Sequence, residues 1–180
     1  MAEPATITVR AAIVDDSAAV AAIYSHHVAH GTASFDTVPR TEADTADRIA
    51  ECNARGWPFL VAEMDGAVVG YAYATQFRDR PAYASTCENS VYIAADYSRR
   101  GIGSSLLAAL IIAAEESGFR QMIAVIGGAE PASVALHSKA GFVETGRMRA
   151  VGRKFGRWLD TLYMQRSLGV GDTCPPEVEP

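Results

Sequence analysis

Hydrophobic and polar positions along the chain switch between a spacing near 3.6 residues and a spacing of two, so helices and strands are expected in alternation. Residues 7–11 read as a short strand. Ala19, Val20, Ile23, Tyr24 and Val28 then recur at helical spacing, with Asp15, Asp16 and Ser17 as N-cap side chains and Gly31 near the stop. Residues 32–40 read as a loop. Thr41 and Asp44 have the spacing of a capping box for a second helix, which runs to the Gly56-Trp57-Pro58 stop. Residues 59–63 and 67–75 flank Met64-Asp65-Gly66, whose Asp-Gly pair predicts a hairpin. A further strand spans 85–94, most β-prone at Ser90-Val91-Tyr92-Ile93. An apolar helix is expected over 104–117, closed by Gly118, and a buried-type strand over 121–126. Pro131 is well placed as the first residue of a helix that ends at Gly141, and strands over 142–149 and 159–166 complete the chain. This order describes an α+β or mixed α/β domain with one dominant sheet.

The length of 180 residues fits one domain, expected over residues 1–168, with a tail rich in Gly, Pro and acid at 169–180. Hydrophobic residues at 49% and charged residues at 21% have the balance of an ordinary globular protein. A net charge of -5 argues against a nucleic-acid binder. Local basic clusters at Arg78/Arg80, Arg99/Arg100 and residues 147–157 point instead to pockets for small anions. Cys52, Cys87 and Cys174 are odd in number and far apart, with no CxxC pair and no Cys/His metal spacing. Neither a disulfide framework nor a metal site is expected. Met1-Ala-Glu-Pro lacks the basic start and apolar run of a signal peptide, and no stretch approaches the ~18–20 apolar residues of a membrane span. A reducing, cytoplasmic setting with no membrane partner is expected.

The turn Arg99-Arg100-Gly101-Ile102-Gly103-Ser104 sits between a strand and a helix. Glycines let successive N–H groups turn inward there, and the helix N-terminus adds unpaired donors and partial positive charge, so the turn suits an anion. Ser104 is placed to cap, and Arg99 or Arg100 to neutralise phosphate. Position 106 is Leu, which excludes a dinucleotide fingerprint, and no Gly-Lys-Ser/Thr marks a Walker loop.

Strand Ser90 to Ile93, the turn Arg100-Gly101-Ile102-Gly103 and Leu106-Leu107 resemble the acetyl-CoA motif of the GNAT superfamily of N-acetyltransferases, Gln/Arg-x-x-Gly-x-Gly/Ala, with Ser98 at the Gln/Arg position. The segments His30-Gly31-Thr32-Ala33-Ser34-Phe35, Tyr71-Ala72-Tyr73, Arg80-Pro81-Ala82-Tyr83, Glu88-Asn89-Ser90-Val91-Tyr92, Ser133-Val134-Ala135-Leu136-His137 and Lys154-Phe155-Gly156-Arg157-Trp158-Leu159-Asp160 are similar to its phosphinothricin N-acetyltransferase-like branch. That branch includes enzymes acting on methionine sulfoximine and methionine sulfone. The resemblance covers about residues 7–168. It implies the GNAT fold, a mostly antiparallel twisted sheet of about six to seven strands with about four helices. It also implies a homodimer that uses acetyl-CoA as co-substrate. In that fold the main chain at Val91, Tyr92 and Ile93 meets the pantetheine, while the turn from Arg99 through Arg100, Gly101, Ile102 and Gly103 to Ser104 holds the pyrophosphate.

Acetyl transfer to an amine needs a proton acceptor, a polarised thioester and a stabilised thiolate. Alternation along the strand puts Glu88, Ser90 and Tyr92 on one face, and Glu88 is the candidate base, in agreement with the resemblance. His137, matching a histidine held to lie near the thioester, is a candidate to orient the amine or protonate the leaving sulfur. Tyr92 is a third catalytic candidate. Cys87 points away from Glu88 on an ideal strand and has no adjacent histidine, so it reads as a structural thiol. Guanidinium forks suit a carboxylate or phosphinate, and the loop bearing Arg78, Arg80, Phe77 and Tyr83 precedes Glu88. By resemblance Arg80, Tyr83 and Tyr73 line the acceptor site, with Arg78 and Phe35 beside them. The expected partner is a small amino-acid-like molecule. An aminoglycoside, a polyamine, a protein N-terminus and a non-catalytic acetyl-CoA-binding module are the alternatives.

Overall fold

The computed structural model describes residues 6–176. The reading of the first four residues as no signal peptide, and the end of the expected tail, lie outside that range. The described chain runs β1 (Thr8–Ala11), α1 (Ser17–His30), α2 (Glu42–Arg55), β2 (Phe59–Met64), β3 (Ala67–Gln76), β4 (Thr86–Ile93), α3 (Ile102–Glu116), β5 (Gln121–Gly127), α4 (Pro131–Lys139), β6 (Val143–Lys154) and β7 (Arg157–Ser167). The seven strands form one sheet in the order β1-β2-β3-β4-β5-β7-β6. Every neighbouring pair is antiparallel except β4 with β5, which run parallel. The single parallel pair arises because α3 carries the chain across the sheet between those two strands, as a parallel connection requires.

Adjacent residues of a strand face opposite sides, and each side of the sheet has its own core. Tyr71 packs with Val20, Tyr24, Ile49, Phe59 and Val61 beneath α1 and α2. Its neighbour Ala72 packs on the other side with Leu106, Leu107 and Leu110 of α3 and with Met122 and Ala124 of β5. The three α3 leucines are wholly buried.

Local chemistry explains most boundaries. Thr41 accepts from the Asp44 N–H at 3.1 Å while the Asp44 carboxylate accepts from the Thr41 N–H at 2.9 Å, the reciprocal cap its spacing predicts. The Asp65-Gly66 turn joins β2 to β3 with both residues at positive φ, 52° and 77°. At the start of α1 the expectation is corrected. Asp16 makes no capping bond to the helix. Its carboxylate instead accepts the Ile13 N–H at 2.9 Å and both terminal nitrogens of Arg10 at 2.8 Å.

The last two strands are longer than expected. β6 bulges at Ala150, whose φ is 52°, and Asp160 holds the bulge by accepting from the Ala150 N–H at 2.9 Å and from Arg147 Nε at 2.8 Å. Phe155 and Gly156, both at positive φ, turn the chain into β7. After β7, Leu168 is buried and its N–H bonds the Arg120 carbonyl at 2.9 Å.

Candidate active site

The site begins with the parity of one strand. Phe77 N–H donates to the Thr86 carbonyl and Ala94 N–H to the Val69 carbonyl, so the even-numbered residues of β4 bond β3. The main-chain groups of the odd-numbered residues turn the other way. Cys87 and Asn89 meet β5 there, but the β4–β5 ladder ends at Asn89 and Ala124. Beyond that pair β5 continues alongside β7 and β4 alongside β3, and the two strands separate. The Ile93 carbonyl accepts from His27 Nε2 at 2.8 Å, which leaves the Val91 N–H and carbonyl and the Ile93 N–H facing the gap.

A chamber of about 280 Å³ occupies the split. Glu88 through Tyr92 of β4 form one wall, Ala124 through Gly127 of β5 the other, and Tyr73, Phe35, Arg40 and His137 close it. Of the acceptor and catalytic candidates, Glu88, Tyr92, His137, Tyr73 and Phe35 meet in this one space. Arg78, Arg80 and Tyr83 do not line it. They lie on the exposed loop before β4, where Gln76 Nε2 donates to the carbonyls of Arg78 and Arg80 at 2.7 and 2.9 Å. Tyr83 stands edge-on to Phe77, ring centres 5.7 Å apart.

Glu88 is half-buried, and no hydrogen bond reaches its carboxylate from any described residue. Burial raises its pKa, and the positive charge of Arg78 pulls the other way. Tyr92 shares that face; burial holds its phenol protonated far above neutral pH. Cys87, one residue before Glu88, is wholly buried on the opposite face, and burial pushes its thiol up to about 12, which leaves almost no thiolate.

His137 approaches from the other side of the sheet and is buried. Its Nδ1 lies 2.8 Å from the Ser133 carbonyl and its Nε2 3.0 Å from Asn89 Oδ1, while Asn89 Nδ2 donates to the Ile123 carbonyl at 3.3 Å. Each ring nitrogen has an oxygen within reach, and burial lowers the pKa of the ring against the opposing pull of the carbonyl, so the neutral ring has one N–H to share between the two. The histidine thus braces Asn89 at the last bonded pair before the strands part. Asn89 lies in the Glu88-to-Tyr92 segment, but its role is not readable there; its register beside Ala124 gives it this place.

The loop after α1 forms the chamber's roof. Tyr24 Oη donates to Asp36 Oδ2 at 2.5 Å and shares a hydrogen bond with Ser34 Oγ at 2.8 Å, and Lys154 Nζ donates to the Ser34 carbonyl at 2.8 Å. Two glycines make room for it. A Cβ on Gly127 would lie 2.9 Å from the carbonyl oxygens of Thr32 and Ala33, and one on Gly152 would lie 2.2 Å from the Phe35 ring. Lys154 therefore supports the site through the loop, and Trp158 of the same sequence signature is exposed.

The glycine turn differs from the expectation in one respect. The helix α3 starts at Ile102, two residues early, with Gly101 as N-cap at φ 84° and no side-chain cap. Ser104 lies inside the first turn and cannot cap it. The first-turn N–H groups of Ile102, Gly103 and Ser104 thus remain open at the positive end of the helix dipole. Arg99 takes a left-handed φ of 61° and Arg100 stacks over Tyr97, both exposed.

Known proteins share the sequence and fold of this chain. Residues 9–163 match the family described as the acetyltransferase (GNAT) domain. Phosphinothricin N-acetyltransferase of Alcaligenes faecalis is 50% identical over 171 residues, covering 94% of this chain and 87% of that protein. The L-methionine sulfoximine/L-methionine sulfone acetyltransferase of Salmonella typhimurium is 41% identical over 165 residues, covering 90% and 95%. Among solved structures, a GNAT superfamily phosphinothricin acetyltransferase from Sinorhizobium meliloti in complex with AcCoA superposes with a TM-score of 0.93 at 45% identity, covering 95% of this chain and 93% of that one. By fold and by sequence, this chain belongs to the GNAT acetyltransferases.

Proposed function

We propose that the protein transfers an acetyl group from acetyl-CoA to the α-amino group of a small amino-acid-like acceptor, with phosphinothricin, methionine sulfoximine and methionine sulfone as the leading acceptors. The observation that carries this reading is the parting of β4 from β5 beyond Asn89 and Ala124. It opens a small chamber with a half-buried, unbonded carboxylate on one wall. The relatives of matching sequence and fold support the same chemistry.

The residues present fit acetyl-CoA. The open N–H groups at the start of α3 suit its pyrophosphate, with Gly101 and Gly103 giving the close approach and Arg99 and Arg100 flanking charge. The free main-chain groups of Val91 and Ile93 suit the amides of its pantetheine arm. When bound, acetyl-CoA supplies the thioester carbonyl as the electrophile.

The chain's own residues do the rest. Glu88 takes the proton of the acceptor ammonium, its raised pKa bringing it closer to the working pH of a general base. The Val91 N–H donates to the carbonyl oxygen as negative charge gathers there. As the amide forms, the nitrogen loses its second proton and the sulfur gains one, with the Tyr92 phenol, held protonated by burial, giving its proton to the sulfur as it receives that of the nitrogen. His137 and Asn89 fix β4 against β5 at the mouth of the split. Tyr73 and Phe35 shape the acceptor side, and Arg78, Arg80 and Tyr83 stand at the rim, where the charge of the two arginines draws an anionic acceptor in.

The small chamber favours an amino acid over an aminoglycoside or polyamine, which need a longer acidic groove. Acetylation of these acceptors would detoxify them, so resistance is one physiological outcome. Two further features belong to this reading. The exposed Val143, Met148, Val151, Phe155 and Trp158 along β6 and β7 support a homodimer built on that edge of the sheet. Three unpaired cysteines support a reducing, cytoplasmic setting. Among the described residues no helix is long and apolar enough to cross a membrane.

The test is release of free thiol from acetyl-CoA with a panel of phosphinothricin, methionine sulfoximine, methionine sulfone, ordinary amino acids, an aminoglycoside and a peptide N-terminus. Turnover confined to amino-acid analogues is expected. Turnover of the aminoglycoside or peptide alone would overturn the acceptor class, and none on any amine would overturn the enzyme. Sedimentation at a concentration series is expected to give twice the monomer mass.

A further inference from the structure

Arg40 ends the loop that roofs the chamber and immediately precedes the N-cap of α2. Its guanidinium is half-buried, lies over the Tyr24 ring at 5.0 Å and donates through Nη1 to the Tyr73 hydroxyl at 3.3 Å. Arg10, Arg48, Arg55 and Arg147 each lie against a carboxylate. Among the described residues no carboxylate stands within ion-pair distance of Arg40. The neighbouring Asp36 is taken by Tyr24. A guanidinium has five N–H donors in a planar fork, and desolvating its charge without an anion is costly. A single hydrogen bond to a phenol leaves most of those donors without a partner among the described residues, at the edge of the chamber that Arg40 lines, while Asp36 acts on the charge only from beyond ion-pair distance.

The position relates to the proposed base. Tyr73 pairs with Ser90 across β3 and β4, and Thr75 pairs with Glu88. Two residues along a strand span roughly 7 Å. The Tyr73 hydroxyl and the Glu88 carboxylate therefore start from neighbouring places on one face, spaced for a molecule that carries an amine and an acid a few bonds apart.

We infer that Arg40, together with the Tyr73 hydroxyl it holds, anchors an oxyanion of the acceptor, either the α-carboxylate or a side-chain phosphinate, and so selects acceptors by charge. This rests on the acetyl-transfer reading above and adds the residue that sets its acceptor preference. It also separates two roles for arginine: the rim pair Arg78 and Arg80 attracts the anion from solvent, and Arg40 binds it inside.

The experiment compares wild type, Arg40→Gln and Arg40→Lys on three acceptors. Methionine sulfone has one anionic group, its α-carboxylate; its α-carboxamide has none; phosphinothricin has a carboxylate and a phosphinate. Arg40→Gln is expected to raise KM for methionine sulfone and phosphinothricin by roughly tenfold to a hundredfold, the range of a lost charge-assisted bond. KM for the carboxamide and for acetyl-CoA should stay within about twofold, and Arg40→Lys should recover part of the loss, because the charge returns without the fork. A loss confined to phosphinothricin assigns Arg40 to the phosphinate; a loss shared with methionine sulfone assigns it to the α-carboxylate. Unchanged KM for both anionic acceptors, or an equal rise for the carboxamide, overturns the inference while acetyl transfer stands. A variant with a lowered melting temperature but the same charge-selective pattern still supports it. A wild type inert toward all three acceptors removes the acetyl-transfer reading and this anchor together.

Discussion

A single carboxylate carries most of the proposed chemistry. Glu88 has no described hydrogen-bond partner and a pKa raised by burial, with Arg78 opposing the rise. Because the base must be ionised to act, kcat/KM for the acceptor should climb with pH through an apparent pKa above the ordinary ~4.3 of glutamate. Glu88→Gln should lower kcat by about 100- to 10,000-fold and flatten that acid limb, with KM for acetyl-CoA little changed. Steady-state rates over a pH series check it, and an unchanged kcat removes Glu88 as base. His137 differs in kind, since it is buried with each ring nitrogen against an oxygen of Ser133 or Asn89. His137→Ala strips Asn89 of its brace and leaves a cavity, so its cost should appear in thermal stability as well as in rate.

At the scale of elements, the chamber depends on a loop and a helix terminus. The roof loop seats only because Gly127 and Gly152 lack side chains. Gly127→Ala would press a methyl against two carbonyl oxygens 2.9 Å away, and main chain yields less readily than a side chain. A loss of about 1–3 kcal/mol in urea unfolding and a raised KM for the acceptor are expected. At α3 the left-handed Gly101 opens the first turn. Gly101→Ala strains that conformation by about 1 kcal/mol. It should weaken acetyl-CoA binding by calorimetry while leaving acceptor KM within about twofold.

These elements also show what the sequence discloses. Boundaries with a local chemical cause, such as the Thr41/Asp44 box, the Asp65-Gly66 turn and Pro131 at the start of α4, are legible because the signal and the structure share the same few residues. β6 is harder to see. Its faces are almost wholly exposed and it bulges at Ala150, so no burial imprints a period of two on it. The same logic divides the site. Glu88, Tyr92, Tyr73, Phe35 and His137 sit in recognisable segments. Asn89 lies in such a segment too, yet its part, like that of Arg40, appears only when β4 and β5 separate and when the loop folds onto β3, and no short window of sequence encodes either event. Ser104 looks like a cap because serine before an apolar run is the usual sign. Glycine at position 101 starts the helix earlier, and the uncapped turn that results is the better anion site.

Across the whole molecule, the far edge of the sheet is held by charge. Arg10 ties β1 to Asp16 and, at 2.6 Å, to Glu63 of β2, and this bond keeps the Asp16 carboxyl below its usual pKa. A carboxylate whose pKa is lowered by folding stabilises the fold above its unfolded pKa of about 3.9 and loses that contribution as pH falls through the folded value. Asp16→Asn should therefore cost about 1–2 kcal/mol near neutral pH, allowing for the partial exposure of Arg10. The difference from wild type should shrink below pH 4. Urea midpoints over a pH series check the sign; a gap that widens in acid contradicts it.

The central chemistry is the transfer of acetyl to an α-amine under the control of Glu88. The most direct measurement follows acetyl-CoA and methionine sulfone by proton NMR, with wild type and with Glu88→Gln at equal concentration. Stoichiometric N-acetyl methionine sulfone is expected from the wild type, with formation at least about a hundredfold slower from the variant. No N-acetyl product from the wild type, or equal rates from the two proteins, would contradict it.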